Sequence, residues 1–492
     1  MDKDFHKLVT KINRYNPNPN LELIKSAWEF AKIAHYGQKR QSGDPAITHS
    51  LAVSEILADW KLDSVSIAAG LLHDTIEDSN VKKDELKKEF SEDVADLVDG
   101  VTNIGKLKLR EKKEAEFTEN LRKMLLVMAK DLRVVFLRLA DRLHNMRTLE
   151  FLPYEKQKRI ARETLEIFAP LAERLGIGEA KAELEDLAFQ YVYPEEFKRL
   201  LKESKHHYKK AESHIRKMKR TLLKKLAKDK IRAIIHSRKK HIYSLWKKLE
   251  RPGINWDFNE IHDIVALRII VDKVEECYTS LGIVHETYKP APQIGVSDFI
   301  AQPKPNGYRS IHTKVFGVGG RVVEIQIRTY QMHEEAETGI AAHWHYSLMK
   351  SGKADQKQVE RAFFAPTDKI KWVKQLVEWQ ESETDSDEFL QAVKFDALSS
   401  RIFVFSPKGD IYDLPINSTP VDFAFAVHTE LAKYIKAAKV NGKVVPLDYK
   451  LKSGDVVEII KSKNKREFPR HWKEFVITTI AKRELRKQLR KS

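Results

Sequence analysis

The sequence predicts a multidomain chain in which an all-α domain is followed by an α+β domain and then by a small β-grasp module. Three observations predict this. A chain of 492 residues is longer than one ordinary core supports, so about two to four domains are expected. Apolar residues recur at helical spacing through residues 1–197, with hardly a β-alternating run among them. Short β-rich runs divided by Gly/Pro/Asn turns begin near Ile261 and return beyond residue 400.

In residues 1–197 the helical spacing is visible in LELIKSAWEFAKIAH, HSLAVSEILADW, SVSIAAGLLHDTIED and KDLRVVFLRLADRLHNMRTL. ETLEIFAPLAERLG closes the run with a glycine stop at Gly176. The second domain, 198–350, opens with a basic stretch to about residue 250 that reads as one long helical pattern. DIVALRIIVD, TKVFGV and RVVEIQIRT follow as strands, separated by turns such as PKPNGYRS, and HEEAETGIAAHWHY reads as a closing helix. Residues 351–397 read as a polar linker with one amphipathic helix, IKWVKQLVEWQ. Residues 398–463 give a ββαββ order, the β-grasp pattern, and 464–492 form a basic C-terminal tail.

Composition narrows the function classes. An apolar fraction of 42% builds real cores, and a charged fraction of 32% suits a soluble protein. The single cysteine, Cys277, excludes a disulfide framework or a cysteine-rich zinc module within the chain and fits a reducing compartment. The opening MDKDFHKLVT has no apolar run of a secretory signal, and no uncharged stretch approaches the ~18 residues of a membrane helix, so a cytoplasmic protein is expected. Residues 198–251 hold 21 Lys/Arg against 4 Asp/Glu, which equals the whole net charge of +17. Residues 461–492 add 12 basic and 3 acidic side chains. Two concentrated basic blocks suit polyanionic partners, either polyphosphate nucleotides or RNA, although a solvated helix face has the same composition.

His49, His73, Asp74 and Asp141 form the first candidate constellation. His73 and Asp74 are adjacent in a helical pattern, with Glu77 and Asp78 each four residues on. Imidazoles and carboxylates are ligands that a divalent ion such as Mn²⁺ accepts, and such an ion lowers the pKa of bound water. Glu77 and Asp78 are placed to orient or deprotonate that water. Asn145 and Thr148 follow Asp141 at i+4 and i+7, on one helical face.

GQKRQSGDPAITHS, LLHDTIEDS and LADRLHNMRTL resemble the signature segments of the RelA/SpoT homologue family, enzymes of the stringent-response alarmone. The resemblance implies that His49, His73, Asp74 and Asp141 bind Mn²⁺ and that Glu77 and Asp78 are the catalytic carboxylates. It places nucleotide contacts on Arg40, Gln41, Ser42, Asn145 and Thr148, with Gln41 standing where the family usually has lysine. The implied reaction removes pyrophosphate from guanosine tetra- or pentaphosphate.

SRKKHIYSLWKK, DIVALR, DFIAQPKPNGYRSIHT and VEIQIRT follow in the family's order and resemble its nucleotidyltransferase-like synthetase domain, which moves pyrophosphate from ATP to GDP or GTP. Pyrophosphoryl transfer needs metal-bridging carboxylates and a basic cradle. Asp263 and Glu324 are the Mg²⁺-ligand candidates, with Glu324 also the natural general base for the acceptor 3′-hydroxyl. By the resemblance, Arg238, Lys240 and Arg268 meet the ATP phosphates, Tyr308 stacks on guanine, and Lys304, Asn306 and His312 surround the acceptor. One departure stands out. Bifunctional members carry R-x-K-D and synthetase-specialised members E-x-D-D where this chain reads Gly295-Val296-Ser297-Asp298.

FVFSPKGDIYDLP, VDFAFAVHTE and AKVNGKVVPLDYKLKSGDVVEI resemble the family's TGS module, in which the histidine matching His428 contacts uncharged tRNA on the ribosome. The expectation is a bifunctional alarmone hydrolase and synthetase binding guanine nucleotides and ATP. A hydrolase with a weak or degenerate synthetase domain and a non-catalytic ribosome or tRNA sensor are the alternatives.

Overall fold

The computed structural model describes residues 2–105, 131–261, 264–292, 295–304, 307–339, 401–465 and 467–489. Asp263, Asn306 and the linker helix IKWVKQLVEWQ lie outside them.

The N-terminal part is helical, with α1 (Asp2–Tyr15), α2 (Leu21–Ala34), α3 (Ile47–Asp59), α4 (Ser64–Leu72), α5 (Thr75–Asp78), α6 (Lys83–Glu89), α7 (Glu92–Gly105), α8 (Arg133–Arg147), α9 (Tyr154–Glu163), α10 (Ala169–Arg174) and α11 (Gly178–Val192). Caps set two of the starts. Asn20 accepts from the Leu23 N–H at 3.0 Å, and Asp63 accepts from that of Ser66 at 2.7 Å. Helix α4 is apolar all round and buried from Ser66 to Leu72, which makes it the central rod of the bundle. Gly70 lets α3 come close, since a Cβ there would fall 2.7 Å from Ser54 Oγ and 2.8 Å from Leu57 Cδ1.

The single helix expected through LLHDTIED is broken. Helix α4 stops at Leu72 and a new turn starts at Thr75. Side chains take carbonyls at the break: His73 Nδ1 meets Gly70 O at 2.9 Å, and Thr75 Oγ1 donates to Leu72 O at 2.6 Å.

The second part is a five-stranded mixed sheet of order β1-β2-β5-β4-β3, built from β1 (Ala233–Lys239), β2 (Val265–Val271), β3 (Ser297–Asp298), β4 (Ile311–Phe316) and β5 (Val322–Thr329). Among the described residues only the β2–β5 pair of this sheet is parallel. Helices α12 (Pro194–Lys228), α13 (Ile242–Leu249), α14 (Val274–Thr287) and α15 (Tyr330–Thr338) accompany it. The core packs Met218, Leu222 and Leu226 of α12 with Ile235, Leu267, Ile269, Ile325 and Ile327 of the sheet.

The basic stretch is therefore not one helix. It turns at Lys230, whose φ is +60°, and continues as β1, paired along its length with β2. Arg238 thus lies on a strand and Lys240 just beyond it. Ala233-Ile234-Ile235 explains the change, because β-branched residues favour the extended backbone and Ile235 packs into the core of the sheet.

The C-terminal unit pairs β6 (Arg401–Phe405) with β7 (Ile411–Pro415) and sets β8 (Ile435–Val440) between β9 (Lys443–Val445) and β10 (Val457–Lys461). A parallel bridge between Phe405 and Val456 joins the two sheets. The expected ββαββ order gains a short extra strand, and its helix divides at His428 into α16 (Pro420–Val427) and α17 (Thr429–Ala432). Residues beyond 464 are part of the module's core. Phe468, Trp472, Val476, Ala481 and Leu485, the last two on α18 (Thr479–Leu489), pack on Val421, Phe425, Ala432 and Ile435.

Candidate functional site

Four side chains converge where α3, the α4–α5 break and α8 meet. His49 Nε2 lies 3.2 Å from His73 Nε2, 3.5 Å from Asp74 Oδ2 and 3.3 Å from Asp141 Oδ1. His73 Nε2 is 3.1 Å from Asp74 Oδ1. Neighbouring ligands at right angles on an ion with ~2.1 Å bonds are about 3 Å apart, so this spacing fits one divalent cation. His49, His73 and Asp141 are buried, and they are the metal-holding group found among the described residues.

The ring tautomers suit that purpose. His73 gives its Nδ1–H to Gly70 O, which leaves Nε2 as the nitrogen that faces the cluster, where a metal would displace its proton. His49 Nδ1 lies 2.8 Å from His144 Nδ1. Burial first, then the neighbouring His49 and Arg40, push His144 down to about 3, so it is neutral, and with its own proton on Nε2 its Nδ1 is an acceptor for a proton on His49 Nδ1. Burial works against a proton on His73, yet Asp74 and Asp141 outweigh it and hold the ring up at about 9. Asp141 stays ionised against its burial because Arg138, bonded to Oδ2 at 2.7 Å, and His49 stabilise its charge. The pocket calls for positive charge, which is what a divalent ion brings.

Of the predicted nucleotide contacts, Arg40 and Asn145 are tied directly to this cluster. Asn145 donates to Asp141 Oδ1 and accepts from Arg40 Nη2 at 2.8 Å, so Arg40, Asn145 and Asp141 are linked. Thr148 lies past the end of α8, and its hydroxyl donates to His144 O at 3.2 Å. Ser42 donates to Asp44 at 2.8 Å, and Gln41 is exposed, so the described contacts tie neither to the cluster. Glu77 and Asp78 lie on α5, directly after the break. Burial first and the charge on Asp74 second raise the Asp78 carboxyl above its ordinary value. Gln38 braces this turn, donating to Asp78 O at 2.9 Å and accepting at the His35 ring at 2.7 Å.

In the sheet domain, Glu324 Oε1 lies 3.3 Å from His312 Nδ1, and Tyr308 Oη is 2.8 Å from His312 Nε2. Lys304 Nζ sits 5.2 Å from the Tyr308 ring centre. Arg268 is buried and bonded to Glu337 at 2.9 Å, with the charge of Arg238 acting on it. Asp298 accepts from Tyr278 Oη at 3.0 Å and from the N–H groups of Ile300 and Ala301 at 2.9 Å. In the C-terminal unit, exposed His428 caps α17, its Nδ1 accepting from the Glu430 N–H at 3.1 Å.

Sequence reasoning missed His144, Arg138, Gln38, Arg328 and Glu337. His144 and Arg138 each lie three residues from Asp141 on one helix, a signal that was available. Gln38, Arg328 and Glu337 act through contacts that only the fold creates, Arg328 Nη2 donating to Glu337 Oε1 at 3.0 Å.

Residues 27–178 match the model described as HD domain, 237–351 the region found in RelA / SpoT proteins, and 402–461 the TGS domain. The chain is 46% identical over 480 residues to a GTP pyrophosphokinase of Myxococcus xanthus, covering 96% of this chain and 61% of that one. It is 44% identical over 494 residues to the guanosine-3′,5′-bis(diphosphate) 3′-pyrophosphohydrolase of Aquifex aeolicus, covering 100% of this chain and 67% of that one. A bifunctional (p)ppGpp synthase/hydrolase of Mycobacterium tuberculosis is 43% identical over 480 residues, covering 97% and 64%. The chain thus spans about three fifths to two thirds of the length of these relatives.

Proposed function

The chain belongs to the RelA/SpoT family, and from that premise we propose that its helical domain removes the 3′-pyrophosphate of guanosine tetra- and pentaphosphate, leaving GDP or GTP. We propose also that its sheet domain makes the same alarmones by moving pyrophosphate from ATP to GDP or GTP. The observation that carries the first reading is the meeting of His49, His73, Asp74 and Asp141 donor atoms at metal-ligand spacing. The mixed nitrogen and oxygen set suits Mn²⁺ better than Mg²⁺, which favours oxygen. Such an ion supplies Lewis acidity and an acidified water at neutral pH.

The residues do the rest. Glu77 and Asp78 orient the attacking water and take its proton, and the raised affinity of Asp78 suits it to hold one. Arg40 and Asn145, already bonded to each other, grip the nucleotide beside the cluster. In the sheet domain, Glu324 takes the proton of the acceptor 3′-hydroxyl and joins Asp263 in holding Mg²⁺. Arg238, Lys240 and Arg268 cradle the ATP phosphates, Tyr308 stacks on guanine, and Lys304, Asn306 and His312 frame the acceptor.

Turnover measured in both directions, with Mn²⁺ and Mg²⁺ varied, tests the pair of activities. A chain carrying His73→Ala and Asp74→Ala should release no pyrophosphate from guanosine tetraphosphate; persistent release refutes the assignment. One feature favours a hydrolase with a weak synthetase: the Asp298 carboxylate is engaged by Tyr278 and two backbone N–H groups. Failure to form alarmone from ATP and GDP would select that reading.

His428 of the TGS module and the basic segments 198–251 and 461–492 are proposed to meet uncharged tRNA and the ribosome. Filter binding of uncharged tRNA that is unchanged in His428→Ala would refute the histidine's part. No helix among the described residues is long and apolar enough to cross a membrane, and a cytoplasmic location is proposed with the function.

A further inference from the structure

The two carboxylates of the histidine cluster face it differently. Asp74 turns both oxygens toward the imidazoles, with Oδ1 3.1 Å from His73 Nε2 and Oδ2 3.5 Å from His49 Nε2. Asp141 turns only one. Its Oδ1 lies 3.3 Å from His49 Nε2, while its Oδ2 accepts from Arg138 Nη1 at 2.7 Å. Asn145 donates to the same Oδ1, so one lone pair of that oxygen remains for an ion. A carboxylate that chelates must bring both oxygens to the ion, and Arg138 holds the atom that chelation by Asp141 would need.

Helix energetics do not account for this pair. Arg138 precedes Asp141 by three residues on α8, and a cation N-terminal to its anion is the weaker order on a helix. The side chains are 19% and 9% exposed, and a buried ion pair gains little over apolar packing of the same volume. The Arg138 Nε is buried with no hydrogen-bond partner among the described residues, so the guanidinium is not seated for its own sake.

The neighbouring arginine keeps Arg138 in place. Arg142, one turn on, donates from Nη2 to Glu163 Oε2 at 3.3 Å, and its guanidinium lies 4.1 Å from the Phe168 ring centre. With Glu163 so engaged, Asp141 is the carboxylate partner of Arg138 among the described residues.

From the four cluster residues an ion therefore meets two nitrogens and at most three carboxylate oxygens, two from Asp74 and one from Asp141. Ca²⁺ takes about six to eight oxygens and uses chelating carboxylates to reach that number. Selectivity among divalent ions follows ligand type and geometry more than raw affinity.

We propose that Arg138 is a positioning residue that sets metal specificity. By holding Asp141 Oδ2 it keeps Asp141 to a single oxygen on the ion, which favours a cation that accepts nitrogen, such as Mn²⁺, over the larger, oxygen-demanding Ca²⁺. This rests on His49, His73, Asp74 and Asp141 being the metal site, and not on the reaction performed there.

Competition between Ca²⁺ and Mn²⁺ on the full chain, with Mn²⁺ followed by electron paramagnetic resonance, tests this through the ratio of the two dissociation constants. Loss of the guanidinium charge strengthens the binding of both divalent ions alike, so the ratio isolates the freed oxygen. In Arg138→Met the preference for Mn²⁺ over Ca²⁺ should fall about tenfold, a usual size for losing the partner of a ligand. Arg138→Ala should show the same fall. Arg138→Lys keeps the charge and a donor for Oδ2 and should hold the wild-type ratio, with melting curves confirming that each variant is folded. An unchanged ratio in the two truncations, or the same fall in Arg138→Lys, overturns the proposal. Wild type that binds Ca²⁺ as tightly as Mn²⁺, or binds neither, overturns it as well. Pyrophosphate release from guanosine tetraphosphate by wild type with Mn²⁺ is measured in parallel. No release, with the ratio shifted in the truncations, sinks the hydrolase reading and keeps the role of Arg138; release with an unchanged ratio does the reverse.

Discussion

His144 Nδ1 lies 2.8 Å from His49 Nδ1, ring edge to ring edge, and the pair fixes which His49 nitrogen is left for a metal. With the proton on Nδ1 and passed toward His144, the His49 Nε2 lone pair points among His73, Asp74 and Asp141. His144→Asn keeps an acceptor at that place and should bind Mn²⁺ nearly as wild type does. His144→Leu removes it and should weaken binding about 10–100-fold, the usual cost of losing a partner of a ligating histidine. Mn²⁺ titration followed by electron paramagnetic resonance reads the difference; equal affinity in the two variants would remove His144 from the site.

Glu77 and Asp78 follow the break between α4 and α5 and stand outside the described group of His49, His73 and Asp141. Their proposed part is in the water chemistry, so metal binding and turnover should separate. Glu77→Gln and Asp78→Asn should each lower kcat for pyrophosphate release about 10²–10⁴-fold, as loss of general acid–base help does, while Mn²⁺ affinity stays within about twofold. A parallel fall in affinity and turnover would make them ligands instead.

The convergence of the candidate ligands was legible in the sequence because each donor lies in a strongly periodic helical segment. His49, His73, Asp74 and Asp141 needed only three helices packed side by side, and apolar spacing predicts that packing. The break after Leu72 was not legible. It depends on His73 and Thr75 bonding their own helix's carbonyls, which competes with a pattern that otherwise reads as continuous helix. The strand at Ala233–Lys239 was hidden for a similar reason: charge dominated the local composition, while two adjacent isoleucines decided the backbone. Glu337 was invisible because its meaning comes from two arginines 9 and 69 residues away.

The C-terminal unit is pinned by one carboxylate. Asp422 is fully buried and accepts from Thr419 N–H and Oγ1 through one oxygen, and from Ile477 N–H, Thr478 N–H and Thr478 Oγ1 through the other. It therefore caps α16 and holds the following basic segment on the module. Asp422→Asn leaves buried donors facing an amide and should cost on the order of 3 kcal/mol in that unit. Hydrogen exchange across β8 and β10 should speed up accordingly, with exchange in α4 unchanged. Unaltered exchange in β8 would show that apolar contacts alone hold the segment.

Glu185, on α11, gives the helical domain a pH dependence of definite sign. Burial raises its carboxyl to about 7, against the lowering effect of Lys181, which lies 3.4 Å away. In the unfolded chain the group titrates near the ordinary glutamate value of about 4.5. Between those two values the folded state holds a proton that the unfolded state has lost, so stability falls as pH rises through the window. Below it both states are protonated and the difference vanishes. Glu185→Gln carries no proton to lose and resembles the protonated acid in shape. The variant should match wild type near pH 4 and exceed it above pH 7 by on the order of 3 kcal/mol. Denaturant melts at the two pH values read this directly. A variant less stable than wild type at pH 8 would mean that the ion pair with Lys181 outweighs the cost of burying the charge.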